Sequence, residues 1–372
     1  MRLLVITHVP HVHKDGRYYA YAPYVKEMNL WIKHCDTVTF IAPLQNERHA
    51  VIDTFYAHNR LQFVPVARFD VLHFKSVLLA FLKIPKIFIQ LFKAMQKADH
   101  IHLRCPGNIG MLGCIVQMFF PNTPKTAKYA GNWDPNAKQP WTYRLQKWIL
   151  NSTFWTKNMN VLVYGEWKNT SLNCKPFFTA SYSENEIVPL EPWNPNVAFT
   201  FVFVGALVPG KNPLYAIKLI EKLLYQDCSV TLKIYGDGPL KISLEEYINK
   251  YNLSQWITVM GNQSSEVVKK AYQSSHFVML PSNSEGWPKA IAEGMFWGCI
   301  PMATAVSCVP TMLDYGKRGV LLTLQLEQDS KEICMLLQDV DKQEIQRKAA
   351  ADWSRAYTIE RFENEIQLLL QP

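Results

Sequence analysis

The chain lacks the features that mark several protein classes. None of its eight cysteines belongs to a C-x-x-C pair, and all lie scattered through apolar segments. That pattern argues against a disulfide framework or a zinc site and points to reduced thiols in a cytoplasmic protein. No apolar run approaches the ~18 residues of a membrane-spanning helix. The opening "MRLLVITHVP" gives way to His11, His13, Lys14 and Asp15, where a signal peptide needs a longer apolar core. Internal repeats and low-complexity segments are missing. So are arginine-rich tracts with interleaved aromatics, which sets nucleic acid aside as a partner.

What is present is a 372-residue chain, 48% apolar, long enough for two cores. Its net charge of +8 suits an acidic partner such as a phosphorylated substrate or anionic lipid. Short apolar, β-branched runs recur in the first half ("RLLVITHV", "DTVTFIAP", "LQFVPVA", "DHIHLRC", "KTAKYAG", "NVLVYG"), with helical patterns at 17–34 and 74–98. The second half repeats the style from "FTFVFVG" to "GVLLT". Such runs alternating with helices predict parallel sheets covered on both faces, hence two doubly wound α/β domains in tandem. The reading places an N-terminal domain at 1–183, a proline-containing linker at 184–198, a second domain at 199–355 and a C-terminal helix at 356–372.

Three stretches of the second half carry candidate chemistry. In "GALVPGKNP" (205–213) a strand runs into a helix whose first residue is Pro213, with Asn212 expected as N-cap and Lys211 at the mouth. Free N–H groups, the helix dipole and a lysine together favour an anion, although the stretch is neither a Walker loop nor a G-x-G-x-x-G fingerprint. An ordinary βα turn with a surface lysine fits these residues equally well. "IYGDGPL" places Gly236 at the end of another strand, on the side where open α/β sheets bind ligands. In "SEGWPKAIAEGMFW" (284–297), Glu285 precedes a helix expected to start at Pro288, and Glu293 lies in its second turn. A loop carboxylate beside helix N–H groups suits sugar hydroxyls, and one a turn further on suits a ribose diol. A surface helix with solvated acids is the alternative on composition alone.

With these motifs in order and spacing, the stretch 199–322 resembles the retaining glycosyltransferases of the large group 1 (family 4) class, through its E-x7-E signature and the turns at 205–213 and 234–240. The resemblance implies the GT-B fold: two Rossmann-like domains facing a cleft, no metal or cofactor, and a C-terminal helix crossing back to the first domain. It implies a nucleotide-diphosphate sugar as donor. Glu285 would contact the donor sugar and Glu293 the ribose, while Lys211 would hold the diphosphate beside Gly205 and Gly236. Gly286, Trp287 and Pro288 would line the sugar-phosphate, and Asn262 would meet the base. The family's usual arginine after the first-strand glycine is Ala206 here, so Lys289 or Arg104 is expected to stand in for it.

The first half matches mainly in architecture. "HVPHVHKDGRYY" (8–19) occupies the place of a flexible loop, with Asp15 and Gly16 offered to the acceptor; its histidines lack the carboxylate partners of a metal site. Arg104 in "RCPGNIG" and Asn132 in "YAGNWDP" border the same opening, or serve as turn chemistry. Two basic, aromatic segments, 74–97 and 141–158, suit either a sheet face or an anionic membrane. The expected acceptor is a sugar or lipid-linked sugar of cell-surface polysaccharide or glycolipid synthesis, with the protein cytoplasmic or peripheral on the inner face. A nucleotide-sugar epimerase and a catalytically weak nucleotide-sugar binder on the same fold stay open.

Overall fold

The computed structural model describes residues 1–45, 53–69, 74–194 and 198–371, with only the backbone at 74–81. The chain divides into two compact units: Met1–Phe178 with Phe362–Pro372, and Thr179–Arg361.

In the first unit the strands are β1 (Arg2–Ile6), β2 (His11–Lys14), β3 (Arg17–Tyr21), β4 (Thr37–Gln45), β5 (Asp53–Phe55), β6 (Leu61–Val66), β7 (His100–Cys105), β8 (Lys125–Tyr129), β9 (Met159–Tyr164) and β10 (Cys174–Phe177). The helices are α1 (Ala22–Ile32), α2 (Phe74–Met95), α3 (Asn108–Val116) and α4 (Trp141–Leu150). The parallel core runs β10-β9-β8-β7-β1-β4, with β6 also paired to β4. These strands are apolar on both faces because helices cover both: Leu4, Ile6, Leu103 and Val161 share one cluster with Ile87, Leu91 and Met95, a stripe of α2 repeating every fourth residue.

Residues 17–34 differ from the expected single helix. β2 and β3 form an antiparallel hairpin, with β5 added to β3, and α1 starts only at Ala22, with a proline in its first turn. The hairpin turn is Asp15-Gly16, both at positive φ (49° and 73°). Asp-Gly is the preferred pair for such two-residue turns, so the segment expected to be a flexible loop is a strand pair instead.

The second unit holds a six-stranded, wholly parallel sheet in the order β13-β12-β11-β14-β15-β16. Its strands are β11 (Phe199–Val204), β12 (Val230–Tyr235), β13 (Ile257–Gly261), β14 (Phe277–Leu280), β15 (Ile300–Thr304) and β16 (Val320–Leu322). Its helices are α5 (Pro213–Tyr225), α6 (Lys241–Lys250), α7 (Ser265–Gln273), α8 (Lys289–Phe296), α9 (Val309–Met312), α10 (Leu326–Gln338) and α11 (Val340–Arg355). A last helix, α12 (Ile359–Leu370), follows, and from Phe362 onward it joins the first unit, as the resemblance implies. Phe362 is buried there against Phe177 and Phe178, with the Lys128 ammonium 4.8 Å from its ring centroid.

Candidate active site

Three adjacent strands of the second unit end in glycines joined by backbone bonds. The Gly205 amide donates to the Tyr235 carbonyl (3.0 Å) and the Gly236 amide to the Gly261 carbonyl (2.9 Å). Gly236 has φ +146°, and a Cβ there would sit 1.9 Å from the Gly205 carbonyl oxygen. No side chain fits, so the β11 and β12 turns lie backbone to backbone. Asn262 follows directly, exposed at the end of β13.

After Gly205 the chain makes a 3-10 turn over Pro209–Lys211 and enters α5. Asn212 is the N-cap residue of α5, as expected, but it takes left-handed angles (φ 52°, ψ 46°) and its side chain makes no cap bond. Side-chain capping needs an extended residue, and the tight turn running straight into the helix does not leave one. The loop after β14 lies alongside: the Asn283 amide donates to the Gly210 carbonyl (2.9 Å).

That juxtaposition brings Lys211 and Glu285 together. The Lys211 Nζ lies 2.6 Å from Glu285 Oε1; the carboxylate is buried and the lysine about a third exposed. The Gly286 carbonyl accepts from Ser307 Oγ and Cys308 Sγ, both at 3.2 Å. Trp287 stacks on Trp353, with centroids 5.9 Å apart, and meets Tyr357 edge-on. Pro288 occupies the N-cap position rather than the first turn, and α8 begins at Lys289.

Glu293 lies one to two turns into α8, in different surroundings. Ser181 Oγ donates to its Oε1 (2.7 Å) and Tyr272 OH to its Oε2 (3.3 Å), while Lys289 Nζ is 3.7 Å from Oε1. Ser181 and Tyr272 carry no sequence signal; they reach Glu293 from 112 and 21 residues away. Ser282 was missed as well: it is fully buried, and its Oγ has no partner among the described residues. It belongs to the small, polar run "SNSEG" at 282–286, the kind of loop that lines polar sites.

Of the two candidates to replace the arginine absent at Ala206, Arg104 is engaged within the first unit. Its Nη1 lies 2.6 Å from Glu27 Oε1, and Lys128 Nζ lies 3.0 Å from Glu27 Oε2. Burial pushes the Glu27 carboxyl up, but Arg104 and Lys128 more than offset it and hold the group at about 2. Asn132 is buried, its Oδ1 accepting from the Asp134 amide (2.9 Å) in a local turn. Asp15 and Gly16 are exposed at the hairpin tip. The His11 ring is buried, with the Tyr56 hydroxyl 2.6 Å from its Nε2 and the Val9 carbonyl 2.8 Å from its Nδ1.

Residues 193–353 match the family model described as "Glycosyl transferases group 1". An uncharacterized glycosyltransferase of Methanocaldococcus jannaschii is 30% identical over 146 residues, 39% of this chain and 39% of that one. A putative colanic acid biosynthesis glycosyltransferase of Salmonella typhimurium is 28% identical over 34% of this chain and 33% of its own. The matched stretch thus spans a third to two fifths of these curated relatives. In fold the likeness extends over nearly the whole chain. The Anabaena protein HepE, solved in complex with UDP and glucose, superposes with a TM-score of 0.69 at 14% identity, covering 99% of this chain and 98% of that one. The chain has the GT-B fold of this neighbour, and its residues 193–353 are similar to the group 1 glycosyl transferases.

Proposed function

We propose that the protein is a retaining, metal-independent glycosyltransferase that moves a sugar from a nucleotide-diphosphate sugar to an acceptor in cell-surface polysaccharide or glycolipid synthesis. The observation that carries this is the Lys211–Glu285 pair at the carboxyl edge of a parallel sheet, beside the mouth of α5. Lys211 and the first-turn amides of α5 stabilise negative charge on the leaving diphosphate. Glu285 accepts from donor hydroxyls, Glu293 from the ribose, and the Asn262 segment meets the base. Double displacement needs a carboxylate nucleophile at the anomeric carbon, and Glu285 is tied to Lys211 instead. In the alternative step the acceptor oxygen attacks the face from which the diphosphate departs. The bond from anomeric carbon to phosphate oxygen breaks, the bond to the acceptor oxygen forms, and that phosphate oxygen takes the acceptor's proton. The protein's work is then positioning and electrostatics.

Peripheral contact with an anionic membrane belongs to the same reading. Among the described residues no helix is long and apolar enough to cross a membrane. Trp148 (60% exposed), Phe154 (68%) and Phe119 (61%) stand out from the first unit. Trp155 touches the first two by ring contacts, and its carbonyl accepts from Gln117 Nε2, two residues before Phe119. Arg144 and Lys157 lie in the same segment as Trp148 and Phe154, 141–158, the mixture that seats proteins on anionic bilayers. The second reading, a weak catalyst that chiefly binds nucleotide sugar, is favoured by the exposed Ala206 where the family's phosphate arginine stands.

The test is nucleoside diphosphate release from a panel of nucleotide sugars, with and without acceptor, the product anomer read by NMR. Acceptor-dependent release, a retained configuration and an unchanged rate in EDTA are expected. An inverted product, or activity lost on chelation and restored by Mg²⁺, overturns the mechanism; binding without release supports the second reading.

A further inference from the structure

The eight cysteines are all free thiols, and among the described residues two pairs of them touch. Cys105 and Cys114 lie 3.7 Å apart, sulfur to sulfur, both fully buried in the core of the first unit. Cys228 and Cys334 lie 3.3 Å apart in the second unit, and both are only half-buried. The second pair is separated by 106 residues of sequence, so no spacing motif links its members. Neither belongs to the candidate active site. α5 starts beside Lys211, and Cys228 follows its other end, roughly 20 Å along a thirteen-residue helix.

Local structure fixes both sulfurs. α5 ends in a Schellman turn: the Asp227 amide donates to the Leu224 carbonyl (3.1 Å), the Cys228 amide to the Leu223 carbonyl (3.0 Å), and Asp227 takes φ 58°. The turn folds Cys228 back over the helix end. α10 is clamped to α5 by three side-chain bonds: Tyr215 OH donates to Asp329 Oδ2 (2.5 Å), Lys222 Nζ to Glu327 Oε1 (2.7 Å) and Gln226 Nε2 to Ser330 Oγ (3.4 Å). Cys334 lies one helical turn beyond Ser330, on the same face, and there it meets Cys228. Burial, then the bond to Cys334, raises the Cys228 thiol to about 12. Cys228 therefore keeps its proton, and attack on a reagent falls to Cys334. Tyr225, Gln226, Asp227 and Met335 beside the pair are exposed, so small molecules reach it from solvent.

We infer that Cys228 and Cys334 are a modification site for low-molecular-weight disulfides, which convert the pair into a reversible disulfide that staples α5 to α10. The Cys334 thiolate attacks one sulfur of the oxidant, whose S–S bond breaks, and one thiol departs. Cys228 then loses its proton to solvent, its sulfur attacks the Cys334 sulfur of the mixed disulfide, and the second thiol departs as the new bond forms. The pair gives up two electrons and two protons, and the oxidant becomes two thiols. The sulfurs close from 3.3 Å to a bond of about 2.0 Å. Because the bond closes a loop of 106 residues, it restricts the unfolded chain strongly. The same chemistry is shut off at Cys105 and Cys114, which the folded core covers. Neither Cys228 nor Cys334 takes part in the proposed glycosyl transfer.

Peptide mapping of the folded full chain after equilibration with oxidised glutathione tests it, the remaining thiols being alkylated in denaturant before digestion. A linked peptide joining Cys228 to Cys334 and released by dithiothreitol is expected, with Cys105 and Cys114 recovered as alkylated thiols. Cys228→Ser removes the second sulfur and is expected to hold glutathione on Cys334. Cys334→Ser is expected to hold roughly tenfold less on Cys228, whose thiol keeps its proton. Oxidised wild type is expected to melt about 5 °C or more above the dithiothreitol-treated protein, a difference absent in Cys228→Ser. No linked peptide, a link formed only in urea, or glutathione held on Cys228 as readily as on Cys334 overturns the inference; the wild-type map alone decides the first two, whether or not either variant folds. A linked peptide with no rise in melting temperature overturns the staple.

Discussion

Lys211 and Glu285 hold each other at 2.6 Å, so neither acts alone. Removing the lysine leaves a buried carboxylate unpaired and, on the proposed mechanism, deletes the cation that meets developing phosphate charge. Lys211→Ala is therefore expected to lower kcat by on the order of 10²-fold or more, as for a lost transition-state donor; wild-type turnover in that variant would refute the role. Glu285→Gln is expected to cut kcat more than Glu293→Gln, which chiefly raises the donor KM, because Glu293 sits apart with Ser181 and Tyr272. Equal and negligible effects of both substitutions in steady-state kinetics would remove the assignment. Sequence spacing places Lys211 before α5, Glu285 before α8 and Glu293 within it, and the structure keeps those positions. It could not show the Lys211–Glu285 contact, nor that Arg104 is engaged by Glu27, because both depend on tertiary packing across 74 and 77 residues.

Elements were legible where one period dominated. The parallel strands are short apolar runs buried on both faces, and the stripe of α2 repeats as a helix must. The β2–β3 hairpin escaped because Arg17–Tyr21 flows into α1 without a break in hydropathy, although Asp15-Gly16 was there to be read as a turn. α8, the helix that carries Glu293, is placed by contacts no motif records. Ser354 Oγ donates to the Ala292 carbonyl (2.6 Å), Arg355 Nε to Phe296 (3.0 Å) and Arg347 Nε to Gly298 (3.1 Å), so side chains of α11 grip its second half and its end. On its other side Gly294 faces β14, where a Cβ would come within 2.6–2.7 Å of Val278 Cγ1 and Cβ. Val278 is β-branched and fully buried, so it cannot yield by swinging a flexible end. Gly294→Ala is expected to destabilise the second unit by about 1–3 kcal/mol through overpacking, and to weaken donor binding as α8 shifts. An unchanged urea midpoint would show that helix and strand separate freely.

For the molecule as a whole, the buried histidines set how stability responds to acid. His11 and His100 in the first unit and His276 in the second are buried, and burial lowers each from 6.5 to about 4; for His100 the charge of Lys125 adds to it, and for His276 that of Arg347. In the unfolded chain each takes its proton near 6.5, in the folded chain only near 4. Between those values the unfolded state binds more protons, so stability falls as pH drops through 6.5 and goes on falling to about 4. Glu27 extends the loss: its folded value of about 2 lies below the ordinary 4.5, so its stabilisation is complete above 4.5 and disappears as pH falls toward 2. The first unit holds two of these three histidines and also His102, which burial and Arg104 hold well below 6.5. Its melting transition is therefore expected to fall more steeply between pH 7 and pH 5 than that of the second unit, which carries His276. Differential scanning calorimetry at half-unit pH steps, with the transitions assigned by the shift that UDP or GDP is expected to give the second unit on the proposed function, reads this directly. Midpoints that stay level from pH 7 to pH 5, or a steeper fall in the nucleotide-shifted transition, would show that acid sensitivity lies elsewhere than in these buried rings.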